Sequence, residues 1–223
     1  QAGFEKAIQE AEAVREFGLE TKILDSNALA NEEPALKTGM AGALLYPGDA
    51  HLRPDRYTAE LARVVKQLGG EIIEQCEVLE IVTDHEKVQS IKTSRGDYHA
   101  QEYLFALGPW SKNMLKAIDV NLPVQPGKGY SITYTRPSLA PKRPVVLKER
   151  SVCVTAWGSG YRLGSTMEFS GYDESLNRRR LAALERGANE YLHEGVGPLK
   201  LEEWYGWRPM TWDDLPILDV TPK

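Results

Sequence analysis

The chain has very little cysteine, with two residues of this type among 223. Cys76 and Cys153 lie far apart in strand-like surroundings, so we expect both to be buried or half-buried free thiols. Such sparse use of cysteine is typical of proteins that stay in a reducing compartment. The sequence therefore predicts a cytoplasmic protein and excludes a secreted scaffold that is held together by disulfides.

Long apolar runs and blocks of basic residues are missing as well. No apolar stretch reaches the roughly 20 residues that a membrane-spanning helix needs, and we expect no signal peptide. The net charge is −5, and no basic block suggests a nucleic-acid partner. The only run of arginines, 178–180, is predicted to lie on a solvated helix face and not at a phosphate site.

Two kinds of catalytic site are excluded by missing motifs. No pair of histidines has the spacing of metal ligands, and the sequence contains no Gly-x-Ser-x-Gly elbow for a nucleophilic serine. Neither cysteine lies beside a histidine in a motif. We therefore expect no metal site and no hydrolase of the nucleophilic type. The four histidines are His51, His85, His99 and His193.

Hydrophobic periodicity predicts a mixture of helices and short strands. Helices are predicted at 4–17, in one turn after Asp25 or Ser26, at 54–68 with an apolar stripe, after Ser111 as N-cap, and at 174–192. Strands are predicted at 21–24, 41–46 (buried), 71–74, 78–83, 88–93, 98–100, 103–107 (buried on both faces), up to about 135, 145–146, 152–156, 161–166 and 202–207. Hairpin turns are predicted at 84–87 and 94–97, and a loop at 167–171.

The most unusual stretch runs from Trp204 to Leu218 and contains three of the five tryptophans. We predict that its strand ends at Arg208, because Pro209 has no N–H to donate to a ladder. An arginine that is fixed between aromatic rings offers a planar fork suited to a carboxylate. The alternative, in which Arg208 only stacks on Trp207 and pairs with Asp213 or Asp214, stays open at this point.

The run from Gly206 to Ile217 resembles the Gly-x-Arg-Pro-x-Thr-x-Asp-Gly-x-Pro segment of the D-amino-acid-oxidase superfamily. This superfamily includes D-amino-acid dehydrogenase, glycine oxidase and sarcosine oxidase. The resemblance implies that Arg208 binds the carboxylate of the substrate. Asp214 stands where the family usually has glycine, which puts the local turn in question because aspartate adopts positive φ less freely.

A second stretch, Leu107-Gly108-Pro109-Trp110-Ser111, resembles the family's Ala-Gly-Ala-Trp-Ser. The resemblance implies that the backbone approaches FAD here, and that Val78 meets the adenine. The cofactor-binding candidates are therefore Val78, Leu107, Gly108 and Trp110. The alternative is a plain helix-capping turn after a core strand.

Four weaker candidates for the substrate pocket follow from the same resemblance. His51 lies in a segment between a substrate strand and an FAD-side helix, although a surface or core role is an equally simple explanation. Tyr130, Tyr161 and Glu168 are pocket candidates, but an aromatic side chain on a long sheet is usually part of the core.

The resemblance implies an α+β or α/β fold, in which a substrate domain with a largely antiparallel sheet accompanies part of an FAD-binding domain. It places the substrate domain at 1–53 and 119–207, the central FAD-binding part at 54–118 and the start of a shared C-terminal segment at 208–223. The implied activity is FAD-dependent oxidation of D-amino acids with an unidentified electron acceptor. A glycine or sarcosine oxidase and a non-catalytic binding or assembly domain are the alternatives.

The sequence also leads us to expect a fragment. No Gly-x-Gly-x-x-Gly loop occurs in the 223 residues, and in the family this loop holds the FAD pyrophosphate. We therefore expect the isolated chain to hold FAD weakly, to be inactive, and to form a homo-oligomer through the face left by missing segments. For the parent protein, the alternative to a purely cytoplasmic location is the surface of the inner membrane.

Overall fold

A computed structural model describes residues 2–84 and 87–221 of the chain. The described residues form two compact units. The first unit comprises residues 2–51, 128–168 and 173–206, and the second comprises 52–84, 87–127, 169–172 and 207–221. Within these described ranges, none of the helices has the length and apolar character needed to cross a membrane.

The described residues contain both helices and strands, and most of the strands occur in two successive groups, at 78–98 and 125–168. The helices are α1 (Ala2–Arg15), α2 (Ser26–Glu32), α3 (Pro54–Gln67), α4 (Ser111–Leu115) and α5 (Arg178–Tyr191). The strands are β1 (Lys22–Asp25), β2 (Gly42–Leu45), β3 (Val78–Thr83), β4 (Val88–Thr93), β5 (Gly96–Tyr98), β6 (Gln125–Thr135), β7 (Val145–Leu147), β8 (Val152–Trp157), β9 (Gly160–Glu168) and β10 (Lys200–Met210). The predicted fold class, α+β with a largely antiparallel sheet, is confirmed.

A five-stranded sheet, in the order β10-β6-β9-β8-β7, dominates the first unit. The pairs β6–β9, β8–β9 and β7–β8 are all antiparallel. Helix α5 begins where the Asn177 side chain accepts a hydrogen bond from the backbone N–H of Arg179. It buries Leu181, Leu184 and Ala188 in the core that the sheet supplies. Burial of one such leucine contributes about 1.5–3 kcal/mol.

The second unit has a small core under a three-stranded antiparallel sheet in the order β3-β4-β5. Its buried apolar cluster consists of Ile81, Leu115 and Ile118. Helix α3 starts at Pro54, whose fixed φ suits the first turn of a helix. No residue of α3 is buried among the described residues, although its sequence carries an apolar stripe.

Three strand predictions were wrong in part, one in its burial and two in the existence of the strand. Segment 41–46 was expected to be buried, but β2 is half-buried along its whole length. Segments 71–74 and 103–107 form no strand, and the Leu104 side chain is 93% exposed. A strand exists only beside a neighbour with which it exchanges backbone hydrogen bonds. The described chain provides no such neighbour for either segment.

Other boundaries differ from prediction because of local geometry. Strand β5 starts at Gly96, directly after a two-residue turn, and not at residue 98. Ser111 is the first residue of α4 and not its cap, because a 3₁₀ turn at Gly108–Trp110 precedes it. Strand β9 continues to Glu168, where a loop was predicted. Helix α5 starts at Arg178, four residues later than expected.

Strand β10 continues through Arg208 and Pro209 to Met210, beyond the predicted end. This is physically reasonable because β10 is an edge strand, where a missing N–H does not break a ladder on both sides. The centre of the predicted hairpin turn at 84–87, His85 and Glu86, lies outside the described residues.

Candidate active site

Arg208 is the most distinctive charged residue of the second unit. Its side chain is exposed, and it forms no hydrogen bond or ion pair with any residue in the described part of the chain. The alternative of a pair with Asp213 or Asp214 is therefore not what the structure shows. A guanidinium with its donors unoccupied is available to bind a carboxylate in two parallel hydrogen bonds.

The turn after Arg208 is held by its own side chains. Asp213 Oδ1 accepts a hydrogen bond from the backbone N–H of Leu215 at 3.2 Å. The hydroxyl of Thr211 donates to the backbone oxygen of Leu215 at 2.9 Å. Asp214 adopts a left-handed conformation with φ of 58°. An aspartate thus adopts here a left-handed conformation that glycine adopts more freely.

Trp207 packs between two aromatic rings of the same unit. Its ring centroid lies 5.8 Å from that of Trp110, at an interplanar angle of 84°. It also lies 5.8 Å from that of Tyr172, at 66°. The Tyr172 hydroxyl donates a hydrogen bond of 2.7 Å to the backbone oxygen of Pro109. Sequence reasoning missed Tyr172, and no local pattern could have indicated it, because its partners lie 63 and 35 residues away.

The residues proposed to hold FAD also lie in the second unit. Gly108 has φ of 55°, and no heavy atom lies within 4 Å of the position that a Cβ would take. Open space beside a left-handed glycine fits a segment that a flat cofactor approaches closely. Leu107 is half-buried and Trp110 is 52% exposed. Val78 opens β3 and is half-buried. The assignment of these four residues to a flavin nucleotide stays a prediction, and the open space at Gly108 is the observation that supports it.

In the first unit, the structure brings Tyr130 and Glu168 together. The Tyr130 hydroxyl donates a hydrogen bond of 2.6 Å to Glu168 Oε2. Arg180 Nε lies 3.2 Å from the same oxygen, and its NH1 donates to the Thr166 hydroxyl at 2.8 Å. Arg180 is half-buried, so the prediction of a solvated face was wrong for this arginine.

The environment of this pair shifts both pKa values. The hydrogen bond from Tyr130 lowers the pKa of Glu168, and Asn177 and Arg180 lower it further against the effect of burial. Burial raises the pKa of Tyr130, and the Glu168 carboxylate raises it further. At neutral pH, Glu168 is therefore an ionised acceptor and Tyr130 a neutral donor.

A β-bulge places Glu168 on the same face of the sheet as Tyr130. Gly129 is opposite Met167, and Tyr130 is opposite Ser165, so Thr166 is an extra residue in β9. Ser165 and Thr166 have φ of 99° and 56°, a conformation that is uncommon for residues other than glycine and especially rare for a β-branched residue such as Thr166. Because one extra residue reverses the alternation of faces, residue 168 would point away from Tyr130 without the bulge.

A buried lysine, Lys128, lies near this pair and was not predicted. Its side chain is 0% exposed, and its ammonium donates to Asp173 Oδ2 at 2.9 Å and to the backbone oxygen of Ser175. The rings of Tyr130 and Tyr205 lie 5.4 and 4.9 Å from the ammonium nitrogen. Burial lowers the pKa of Lys128, but Asp173 and Tyr130 outweigh that effect and the pKa is raised.

The two remaining candidates of the first unit have different surroundings. Tyr161 is fully buried in the core, where its hydroxyl donates to the backbone oxygen of Gly195 at 3.2 Å. Burial raises its pKa. His51 is exposed and makes no hydrogen bond or ion pair with the residues described. The roles of both in substrate binding stay predictions, and Tyr161 in this state serves the packing of the sheet.

Solved flavoproteins share this fold. The glycine oxidase of Geobacillus kaustophilus superposes with a TM-score of 0.86 over 98% of this chain and 59% of its own, at 22% identity. The glycine oxidase of Bacillus cereus gives 0.82 over 94% of this chain and 57% of its own, at 24% identity. At this level of identity the likeness establishes the fold, which this chain shares with these two glycine oxidases.

Sequence comparison identifies the family. Residues 1–223 match the family described as DAO, FAD dependent oxidoreductase. A D-amino acid dehydrogenase of Bradyrhizobium diazoefficiens is 32% identical over 99% of this chain and 54% of its own length. One of Granulibacter bethesdensis is 32% identical over 93% of this chain and 51% of its own. The chain belongs to the DAO family of FAD-dependent oxidoreductases, and it spans about half the length of these relatives.

Proposed function

We propose that the protein to which this chain belongs oxidises the C–N bond of D-amino acids. The observation that carries the proposal is the unoccupied guanidinium of Arg208, in the segment that resembles the family's carboxylate-binding motif. The name that the two relatives of 32% identity share, D-amino acid dehydrogenase, supports the choice of substrate class.

In this proposal, the residues of the chain act by positioning. Arg208 binds the substrate carboxylate bidentately, and this two-point contact limits how the substrate can rotate. Val78, Leu107, Gly108 and Trp110 hold FAD, which supplies the capacity to accept a hydride from the α-carbon. The two electrons leave with that hydride, so the amino acid becomes an imino acid, and water then converts it to a 2-oxo acid and ammonia. No general base is required if the amine is neutral when it reacts.

The decisive experiment is anaerobic mixing of the full-length protein with candidate substrates while flavin absorbance is recorded. Bleaching by small or apolar D-amino acids, with no bleaching by the L-enantiomers, is the expected result. Strict preference for N-methylglycine would contradict the proposal and favour an amine oxidase of the sarcosine type. Absence of flavin from the purified protein would favour a binding or assembly domain.

A glycine oxidase is the second candidate, because solved proteins with that name share the fold. Those proteins are less than 25% identical to this chain, so the likeness does not extend to a substrate. Glycine is the discriminating substrate, and the electron acceptor is a second criterion. Hydrogen peroxide formed in air would indicate an oxidase, whereas turnover only with an artificial dye would indicate a dehydrogenase.

For the isolated 223-residue chain, we propose weak FAD binding and self-association. The exposed apolar face of α3, defined by Tyr57, Leu61, Val64, Val65 and Leu68, is a surface on which a second copy can pack. Titration of FAD followed by flavin fluorescence, together with light scattering, tests both statements. Stoichiometric tight binding by a monomer would refute them.

A further inference from the structure

Three aromatic side chains of the second unit form what we call the aromatic corner: Trp110, Tyr172 and Trp207. Tyr172 is the member that bridges the other two segments. Its ring packs edge-on against Trp207, with the centroids 5.8 Å apart. Its hydroxyl donates to the backbone oxygen of Pro109, the residue before Trp110, at 2.7 Å. One side chain therefore contacts two segments that are almost 100 residues apart in sequence.

Each of the two segments carries a proposed binding role. Gly108 and Trp110 flank Pro109 and are the cofactor candidates. Arg208 follows Trp207 directly and is the carboxylate candidate. The hydroxyl of Tyr172 thus contacts Pro109, which lies between the two cofactor candidates. Its ring contacts Trp207, which directly precedes Arg208.

Simple core packing does not explain the aromatic corner. The buried apolar cluster of this unit is Ile81, Leu115 and Ile118, and none of the three aromatic residues belongs to it. Trp110 is 52% exposed and Tyr172 is 37% exposed. Aromatic rings that leave this much surface in solvent contribute less burial energy than core residues. The directed hydrogen bond to Pro109 is a specific restraint that packing alone would not require.

We propose that Tyr172 is a positioning residue that couples cofactor binding to carboxylate binding. The proposal rests on the proposed function, because it assumes FAD at Gly108 and a carboxylate at Arg208. With FAD bound, the backbone of Pro109 is fixed, so the Tyr172 hydroxyl and ring hold Trp207 and orient Arg208. Because coupling between two binding events is reciprocal, a carboxylate on Arg208 strengthens FAD binding by the same factor.

The test measures this factor in the full-length FAD-containing protein. The dissociation constant of FAD is determined from flavin fluorescence with and without saturating propionate, a carboxylate that has no amine to oxidise. In the wild type, propionate is expected to tighten FAD binding about two- to tenfold, the range of one neutral hydrogen bond. In Tyr172→Phe, which loses only the hydroxyl, the factor is expected to fall to about 1.

A matched control is available in the same unit. Tyr98 is 38% exposed, and its hydroxyl makes no hydrogen bond among the residues that are described. Tyr98→Phe is the same chemical change at the same exposure, and it should leave the propionate effect at its wild-type size. Tyr172→Phe should also raise the KM for D-alanine more than it lowers kcat, since it loosens Arg208 without touching the reacting atoms.

The outcomes separate the inference from the proposed function. If Tyr172→Phe weakens FAD binding equally with and without propionate, the residue is merely structural and the inference is wrong. If the wild type oxidises D-amino acids but propionate leaves its FAD affinity unchanged, the inference again fails while the proposed function stands. If the wild type neither binds propionate nor reacts with D-amino acids, the proposed function fails and the inference falls with it.

Discussion

The two units of this chain differ in how far their apolar side chains are buried. In the first unit, the faces of β6, β8 and β9 and the apolar side of α5 enclose a core that includes Ile132 and Leu163, both 0% exposed. In the second unit, the apolar stripe of α3 and the side chain of Leu104 are largely exposed to solvent. The first unit thus has an extensive closed core, although Phe17, Leu199 and Leu201 on its surface are exposed, whereas the second unit has a small core and a helix without a buried residue among those described.

The two units also differ in the surroundings of one charged side chain each, Lys128 in the first unit and Arg208 in the second. Lys128 in the first unit is enclosed and paired with Asp173. Arg208 in the second unit has no partner among the residues described. A paired buried charge contributes to the fold, whereas an unoccupied arginine at a strand end is available to a ligand. We therefore expect Lys128 to contribute to the stability of the first unit, and we propose that Arg208 contributes to binding in the second.

The largest expected effect comes from Arg208→Ala in the full-length protein. Loss of the cation should weaken binding of the substrate carboxylate by about 2–5 kcal/mol, because a desolvated charge loses its partner. The KM for a D-amino acid should rise far more than the KM for an uncharged amine. The denaturation midpoint should not change, since no internal ion pair is lost.

Arg95→Ala is the matched control for this charge, because Arg95 lies in an exposed turn of the same unit and its side chain has no partner among the described residues. It should alter neither KM. An equal rise of KM for the amino acid and the amine in Arg208→Ala would contradict the assignment of Arg208.

The second prediction compares one substitution in the two units. Leu163→Ala should destabilise the 223-residue chain by about 3 kcal/mol, because it opens a cavity in the core. Leu104→Ala, at a side chain that is 93% exposed, should change the free energy of unfolding by less than about 0.5 kcal/mol. Urea denaturation measures both. Similar losses for the two variants would show that segment 103–107 is packed, and the contrast between the units would disappear.

The third prediction concerns the buried ion pair. Lys128→Met should cost about 1–3 kcal/mol, because the backbone oxygen of Ser175 and the Asp173 carboxylate lose their donor. Lys22→Met, at an exposed lysine of β1 without a side-chain partner in the described ranges, is the control and should be nearly neutral. Urea midpoints at neutral pH provide the measurement.

The same variant has a predictable pH dependence. The hydrogen bond from Lys128, together with those from the hydroxyl and the backbone N–H of Ser175, lowers the pKa of Asp173 from 3.8 to about 2. A carboxyl group whose pKa is lower in the folded state contributes stability above its unfolded pKa and loses it as the pH falls through the folded value. The gap in urea midpoint between wild type and Lys128→Met should therefore shrink between pH 4 and pH 2. A constant gap over this range would show that Asp173 does not contribute to the pair.

Local sequence signals predicted the parts of the molecule that depend on neighbours in sequence. The left-handed bend at Gly108 and the cap at Asp25 both follow from nearby residues, whereas the end of β10 was predicted too early. The Lys128–Asp173 pair could not be predicted, because its members are 45 residues apart and neither belongs to a motif. The β-bulge at Ser165 and Thr166 could not be predicted from the sequence either, since neither residue type favours positive φ.

The apolar stripe of α3 shows a further limit of sequence reasoning. Periodicity correctly predicted the helix and its apolar side, but it does not say which surface covers that side. The run at 103–107 illustrates the same point for a strand, because an apolar composition indicates a buried strand only where neighbouring strands are present. The sequence thus predicts which faces of helices and strands are apolar, while the burial of these faces depends on the elements that pack against them.

The smallest expected effect is at Asp214, where the sequence departs from the family pattern. Its φ of 58° costs an L-residue more than glycine. Asp214→Gly removes this strain but gives the unfolded chain more freedom, so a net gain of about 0.5 kcal/mol is expected. Asp213→Gly is the control and should destabilise, because Asp213 accepts the hydrogen bond from Leu215. Thermal unfolding of the full-length protein measures both changes. Destabilisation by Asp214→Gly would mean that the aspartate has a favourable role in the turn next to Arg208, and that its presence is more than a tolerated substitute for glycine.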